Sequence, residues 1–208
     1  MPETQGGGIA ELPIAGPGMR IGLFGGSFNP AHEGHRLVAL ECLKRLALDK
    51  IWILVSPGNP LKDHSELAPL GDRIEGTRHL MNHPALEVTG FEAAHNLRYT
   101  FETLTFLTAA LPATHFVWIM GADSLMNFDR WERWEDIARL MPMAVYARPG
   151  ATFKATQSRA AIALAEFRMP EVEAESLAGR PPPAWVYLHG IMSPLSSTAI
   201  RQARQPSQ

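Results

Sequence analysis

Ile21-Gly22-Leu23-Phe24-Gly25-Gly26-Ser27-Phe28-Asn29-Pro30-Ala31-His32-Glu33-Gly34-His35 sets the architecture of this chain. The apolar run at residues 21–24 reads as a short strand, and the residues beyond Gly34 carry a helical pattern. The stretch between them is therefore a strand-to-helix turn near the start of the fold. Such a turn exposes the unpaired N–H groups of a helix N-terminus, a ready site for an anion. Gly25 and Gly26 let a bulky phosphate come close to the main chain. His32 and His35 lie three residues apart and share one face of a helical turn. Two imidazoles beside a phosphate cradle point to chemistry on a nucleotide phosphate.

Outward from this turn, strand and helix patterns alternate. Strands are expected at residues 20–24, 50–56, 85–92, 115–120, 143–147 and 185–189. Helices are expected at 34–48, about 69–81, 100–110, 134–140, 155–167 and 196–204. The first helix shows Leu37, Leu40, Leu43 and Leu46 along a stripe. Residues 50–56 are apolar on both faces, as a central parallel strand should be, and Pro57-Gly58-Asn59-Pro60 stops them. Residues 171–183, with Gly179-Arg180 and three prolines, read as a surface excursion. The alternation predicts an α/β fold, a Rossmann-like doubly wound parallel sheet with helices on both faces in a single domain. Ligands of such sheets bind at the carboxyl ends of strands near a topological switch point, where the opening turn lies.

Composition narrows the class. The 208 residues are 46% hydrophobic and 19% charged, ordinary for a globular chain with a sizeable core. A net charge of −2 argues against a general polyanion binder, so no nucleic-acid partner is expected. No run is long enough to span a bilayer. The single Cys42 cannot form an internal disulfide, which fits a reducing cytoplasm; among Leu40, Leu43 and Leu46 it reads as a small buried hydrophobe. Residues 1–18 hold five glycines and three prolines with no apolar signal core, and read as a disordered leader or a start-site artefact.

Neither the Walker pattern nor G-x-G-x-x-G is present. His32-Glu33-Gly34-His35 resembles the H-x-G-H signature of the nucleotidylyltransferase superfamily, and residues 25–35 as a whole resemble the nicotinate-mononucleotide adenylyltransferase family. The resemblance spans most of residues 20–204 and makes residues 19–208 a nucleotidylyltransferase domain. It implies that Gly25, Gly26, Ser27, Phe28 and Gly34 receive ATP and that His32 and His35 face its phosphates. Near the C-terminus, Pro194-Leu195-Ser196-Ser197-Thr198-Ala199-Ile200-Arg201 starts a helix with strong capping residues. Capping alone accounts for that block. The resemblance adds a grip on the β- and γ-phosphates through Ser197, Thr198 and Arg201, with Leu195 standing where the family has isoleucine.

Other segments carry two readings each. Lys62, in Gly58-Asn59-Pro60-Leu61-Lys62, is a solvated loop lysine or the basic residue that the family places beside the site. Asp123, in Gly121-Ala122-Asp123-Ser124, caps a helix or helps hold the nucleotide. Trp131 is core or, as the resemblance implies, stacks on the nicotinate ring. Tyr99 and Thr100 resemble a family pair lining the same pocket, although Arg98 departs from the small residue expected before them. His79 and His83 have metal-ligand spacing but no third ligand, and read as surface histidines. Arg148 faces the site or ends a strand. The polar residues up to Gln208 depart from the further helical segment usual in the family.

The implied reaction joins ATP and nicotinate mononucleotide to nicotinate adenine dinucleotide and pyrophosphate, with Mg²⁺ entering on ATP and no protein metal site. The attacking phosphate is already an anion, so no general base is required. A cytoplasmic location is expected, and a homo-oligomer is left open. The same chemistry on nicotinamide mononucleotide or phosphopantetheine, a cytidylyltransferase, and a non-catalytic nucleotide sensor are the alternatives.

Overall fold

A computed structural model describes residues 12–58, 67–147, 152–190, 195 and 197–204. Among them β1 (Arg20–Gly26) leads to α1 (Glu33–Arg45), then β2 (Lys50–Val55), α2 (Leu70–Leu80), β3 (Leu86–Thr89) and the single turn α3 (Phe91–Ala94). There follow α4 (Thr100–Ala110), β4 (His115–Gly121), α5 (Ala122–Leu125), α6 (Trp134–Leu140) and β5 (Met143–Tyr146). The chain closes with α7 (Thr152–Thr156), α8 (Arg159–Ala163), β6 (Arg168–Met169), β7 (Trp185–Leu188) and α9 (Ser197–Arg204).

The strands form one sheet in the order β3-β2-β1-β4-β5-β7-β6, with every pair parallel. Parallel strands need both faces covered, and their side chains alternate between faces. Ile21, Leu23, Trp52, Leu54, Trp118 and Met120 accordingly enter one core. Phe24, Ile51, Ile53, Val55, Val117 and Ile119 enter the other. Burying each such aliphatic side chain contributes about 1.5–3 kcal/mol. The chain runs outward from β1 to β3 on one side, then returns to place β4 on the other flank of β1. The switch point is thus the crevice between the carboxyl ends of β1 and β4, as the alternation predicts.

Several local expectations shift. The buried face of α1 is Gly34, Val38, Ala39 and Cys42, not the leucine stripe. A repeat of three falls 60° short of a full turn at each step, so the stripe drifts around the helix. Leu40 and Leu43 end half-buried, and Leu46 reaches the core just past the helix end. Cys42 is fully buried, as expected, and burial pushes its thiol up to about 12. The third expected strand stops at Thr89, whose Oγ1 accepts the Phe91 N–H at 3.2 Å and opens α3. The helix expected at 155–167 is broken, because Ser158 accepts the Ala161 N–H at 3.3 Å and restarts it as α8.

Residues 171–183 are not simply a surface excursion. Residues 168–169 pair with β7, and the 3-10 stretch Glu171–Gly179 buries Ala174, Leu177 and Ala178. Glu171 anchors that stretch: it accepts the His189 N–H at 2.7 Å, meets His189 Nδ1 at 2.7 Å and pairs with Arg45. Residues 12–18, placed with the leader by composition, touch the body of the fold. Leu12 and Ala15 pack on the core, and the Gly18 N–H donates to Ala113 O at 2.7 Å. Residues 1–11 lie outside the described residues. No helix of the described residues is long and apolar enough to cross a membrane.

Candidate active site

β1 ends in Gly25 and Gly26, and at Gly25 a larger residue does not fit without a shift. A Cβ on Gly25 would stand 2.5 Å from Trp118 Cη2 on the neighbouring strand. The chain then turns through Phe28 in the left-handed region, at φ 45°, and a cis Asn29–Pro30 peptide. Phe28 is 2% exposed and packs edge-on against Phe24 and His35. Its ring wedges the turn into the core, so only its backbone is presented to a ligand.

His32 is the N-cap of α1 and is buried. Its ring lies 3.8 Å from that of His35, tilted by 36°. His35 Nδ1 accepts the His32 backbone N–H at 3.2 Å. A nitrogen that accepts carries no proton, so the neutral His35 ring bears its proton on Nε2. The pair thus caps the turn, and the same bond sets the His35 tautomer.

The C-terminal block docks on this turn. Ser197 Oγ donates to Pro30 O at 2.9 Å, and Arg201 Nη1 donates to Asn29 O at 2.7 Å. More than 160 residues of sequence separate the two motifs, and these bonds bring them to one loop. Thr198 is exposed on the first turn of α9. Ser196, Lys62 and Arg148 lie outside the described residues.

Beside this polar cluster a cleft of about 340 Å³ opens between the carboxyl ends of the central strands. Gly25, Gly26 and Ser27 line it on the β1 side, and Trp118, Ser124 and Trp131 on the β4 side. Tyr99 and Thr100 line it from the start of α4, with Arg98, Glu92, Arg130 and Glu132 also in its wall. Trp131 stands edge-on to Trp118 and Phe128, with ring centroids 6.2 and 5.4 Å away. It is half-buried, with aromatic support on one side and the cleft on another. His32, His35, Asp123, Ser197, Thr198 and Arg201 are outside the cleft wall itself. Asp123 is exposed on α5, whose N-cap position is taken by Gly121. His83 lies beyond the end of α2 and its Nδ1 accepts the Ala85 N–H at 3.2 Å, while His79 is exposed on α2.

Three supporting residues escaped the sequence reading. Arg73 on α2 is 4% exposed and donates to four carbonyls: Ala68 at 2.9 Å, Ser27 at 2.7 Å, Ser56 at 2.8 Å and Pro57 at 3.3 Å. It ties the motif turn to the end of β2, and burial lowers its pKa from the ordinary guanidinium value. Glu102 Oε2 accepts the N–H groups of Arg98 and Tyr99 at 2.8 and 3.1 Å and so fixes the entry to α4. Glu92 is buried in the cleft wall, where Thr103 Oγ1 donates to it at 2.8 Å; burial raises its pKa above the usual carboxylate value, opposed by that bond. Only Glu102 had a signal, its place three residues after an N-cap, but that cap is a tyrosine.

Residues 23–203 match the cytidylyltransferase-like family. A probable nicotinate-nucleotide adenylyltransferase of Methylorubrum extorquens is 57% identical over 183 residues, covering 88% of this chain and 99% of the relative. One of Mesorhizobium japonicum is 50% identical over 191 residues, covering 92% and 98%. Among solved structures, the Plasmodium falciparum nicotinic acid mononucleotide adenylyltransferase complexed with NaAD superposes with a TM-score of 0.66 at 15% identity, covering 88% of this chain and 83% of that one, a likeness of fold. With its crevice, its two docked motifs and these relatives, the chain belongs to the cytidylyltransferase-like family, among the nicotinate-nucleotide adenylyltransferases.

Proposed function

We propose that this protein transfers the adenylyl group of ATP to nicotinate mononucleotide, forming nicotinate adenine dinucleotide and pyrophosphate in NAD biosynthesis. The observation that carries the reading is the docking of Ser197 and Arg201 on the carbonyls of Pro30 and Asn29. It sets a guanidinium and two imidazoles around one loop, beside a cleft with aromatic walls. The names of the relatives point the same way.

In this mechanism an oxygen of the mononucleotide phosphate attacks the α-phosphorus of ATP in line. The new P–O bond forms as the bond to the bridging oxygen breaks, and the electron pair leaves with pyrophosphate. The attacker is an anion, so the protein supplies position and charge rather than a base. His35 donates from Nε2 to the α-phosphoryl oxygens, with His32 stacked behind it. Gly25, Gly26, Ser27, Gly34 and the Phe28 backbone give the polyphosphate close approach. Arg201, Ser197 and Thr198 take the charge of the leaving pyrophosphate, and Asp123 holds the nucleoside. Trp131, Tyr99 and Thr100 take the pyridine end of the acceptor, and Lys62 adds charge from its loop. Mg²⁺ enters on ATP as part of the substrate, held by phosphates and water. The reading places the reaction in the cytoplasm.

The test is pyrophosphate release from Mg²⁺-ATP with nicotinate mononucleotide, nicotinamide mononucleotide and phosphopantetheine in parallel. Preference for the first is expected. Preference for another acceptor keeps the phosphoryl chemistry and discards the pocket assignment. ATP binding without release from any of them overturns the enzyme reading.

A further inference from the structure

Arg98 lines the cleft together with Tyr99, Thr100 and Trp131. Its backbone is fixed, because its own N–H and that of Tyr99 both donate to Glu102 Oε2. That carboxylate is engaged by the main chain, and no carboxylate pairs with the Arg98 guanidinium among the described residues. The buried Glu92 in the same wall is engaged by Thr103, whose Oγ1 donates to it at 2.8 Å. The phosphate-facing groups stand elsewhere, on the turn after β1. Arg98 and Arg130 are the two cations of the cleft wall among the described residues, and Arg98 is the one beside Tyr99 and immediately before the N-terminus of the eleven-residue helix α4.

We infer that Arg98 is the acid-selecting residue of the acceptor pocket, its guanidinium pairing with the carboxylate on the pyridine ring; this rests on the adenylylation reading above. A guanidinium has five N–H donors and no acceptor, in a fork that matches both oxygens of a carboxylate. A carboxamide offers one oxygen and one NH₂ group. Against Arg98 its NH₂ meets another donor, its charge is zero, and one of the two bonds is lost. The preference for acid over amide therefore comes from a side chain at the position where the family resemblance implies a small residue.

The test compares wild type, Arg98→Ser and Arg98→Lys in steady-state kinetics with both mononucleotides, alongside calorimetric titration of each without ATP. For Arg98→Ser the acid-to-amide ratio of kcat/KM should fall about 10- to 100-fold, the range expected for a charge-assisted hydrogen bond. The fall should lie in KM for the acid, with KM for ATP unchanged. Arg98→Lys, which keeps the charge and loses the fork, should fall between. An unchanged ratio overturns the inference, as does a rise confined to KM for ATP. Wild type that releases no pyrophosphate from either acceptor, yet binds the acid through Arg98 in the titration, overturns the reaction and keeps the selectivity.

Discussion

The Nδ1 atom of His35 accepts the His32 N–H at 3.2 Å, so one bond both caps α1 and leaves the proton of the neutral ring on Nε2. His35→Ala should therefore show two separable losses. With His35 donating to the α-phosphoryl oxygens as proposed, its removal should lower kcat about 10²- to 10³-fold with a smaller change in KM for ATP. Losing the cap should lower stability by about 1 kcal/mol, read by urea unfolding. An unchanged kcat with the stability loss intact would reduce His35 to its cap. Gly25 makes a steric argument at the same scale. A Cβ there meets Trp118 Cη2 at 2.5 Å and Cζ2 at 3.3 Å, so Gly25→Ala must displace the indole, which is part of the cleft wall. Overpacking of this kind costs about 1–3 kcal/mol, and acceptor KM should rise with it. Cys42 gives a pH prediction. With its thiol pushed up to about 12 by burial, almost no thiolate exists at pH 8 in the folded protein. A disulfide reagent at pH 8 should find no reactive thiol until urea unfolds the chain, and rapid labelling of the folded protein would contradict the packing of α1.

Elements hold these residues in place, and Arg73 belongs to that scale. Its side chain crosses from α2 to four carbonyls on three segments, and no local bond of α2 requires it. Arg73→Met would bury those carbonyls without donors, at about 1–3 kcal/mol for each group left unsatisfied. A loss of at least about 3 kcal/mol is expected in urea unfolding, with Arg73→Lys losing less. A loss under about 1 kcal/mol would mean that other donors take over the turn. Arg73 also marks the limit of what the sequence makes legible. Asp72-Arg73 in an ordinary helical stretch looks like a solvated face, and burial against distant carbonyls leaves no periodic trace. The strands are easier, since Ile51 to Val55 is apolar on both faces and fits little but a central parallel strand. Residues 171–179 mislead in the opposite direction: glutamates and a glycine suggest a loop, while three small or aliphatic residues are buried. Short irregular segments of this kind obey contacts made far away in sequence, and neither period nor propensity records them.

At the scale of the whole molecule, topology makes one site from motifs that the sequence presents apart. The turn after β1 and the block that opens α9 are each readable alone, as an anion-binding turn and as a capped helix. Their meeting depends on the strand order, which carries the chain to the far edge of the sheet and back to the carboxyl end of β1. In the proposed mechanism His35 and Arg201 act on successive parts of one triphosphate, and both are bonded to one loop, spanning Asn29 to His32. Residues that act as a unit on one transition state lose less together than the product of their separate losses. Arg201→Ala alone should raise KM for ATP and lower kcat, with KM for the acceptor nearly constant. Arg201→Ala combined with His35→Ala should fall short of the multiplied loss in kcat by about tenfold or more, within the coupling seen between neighbouring residues. Strictly multiplied losses would mean that the bond from Arg201 to Asn29 only fastens α9 to the body of the protein, with the phosphate chemistry left to the β1 turn alone.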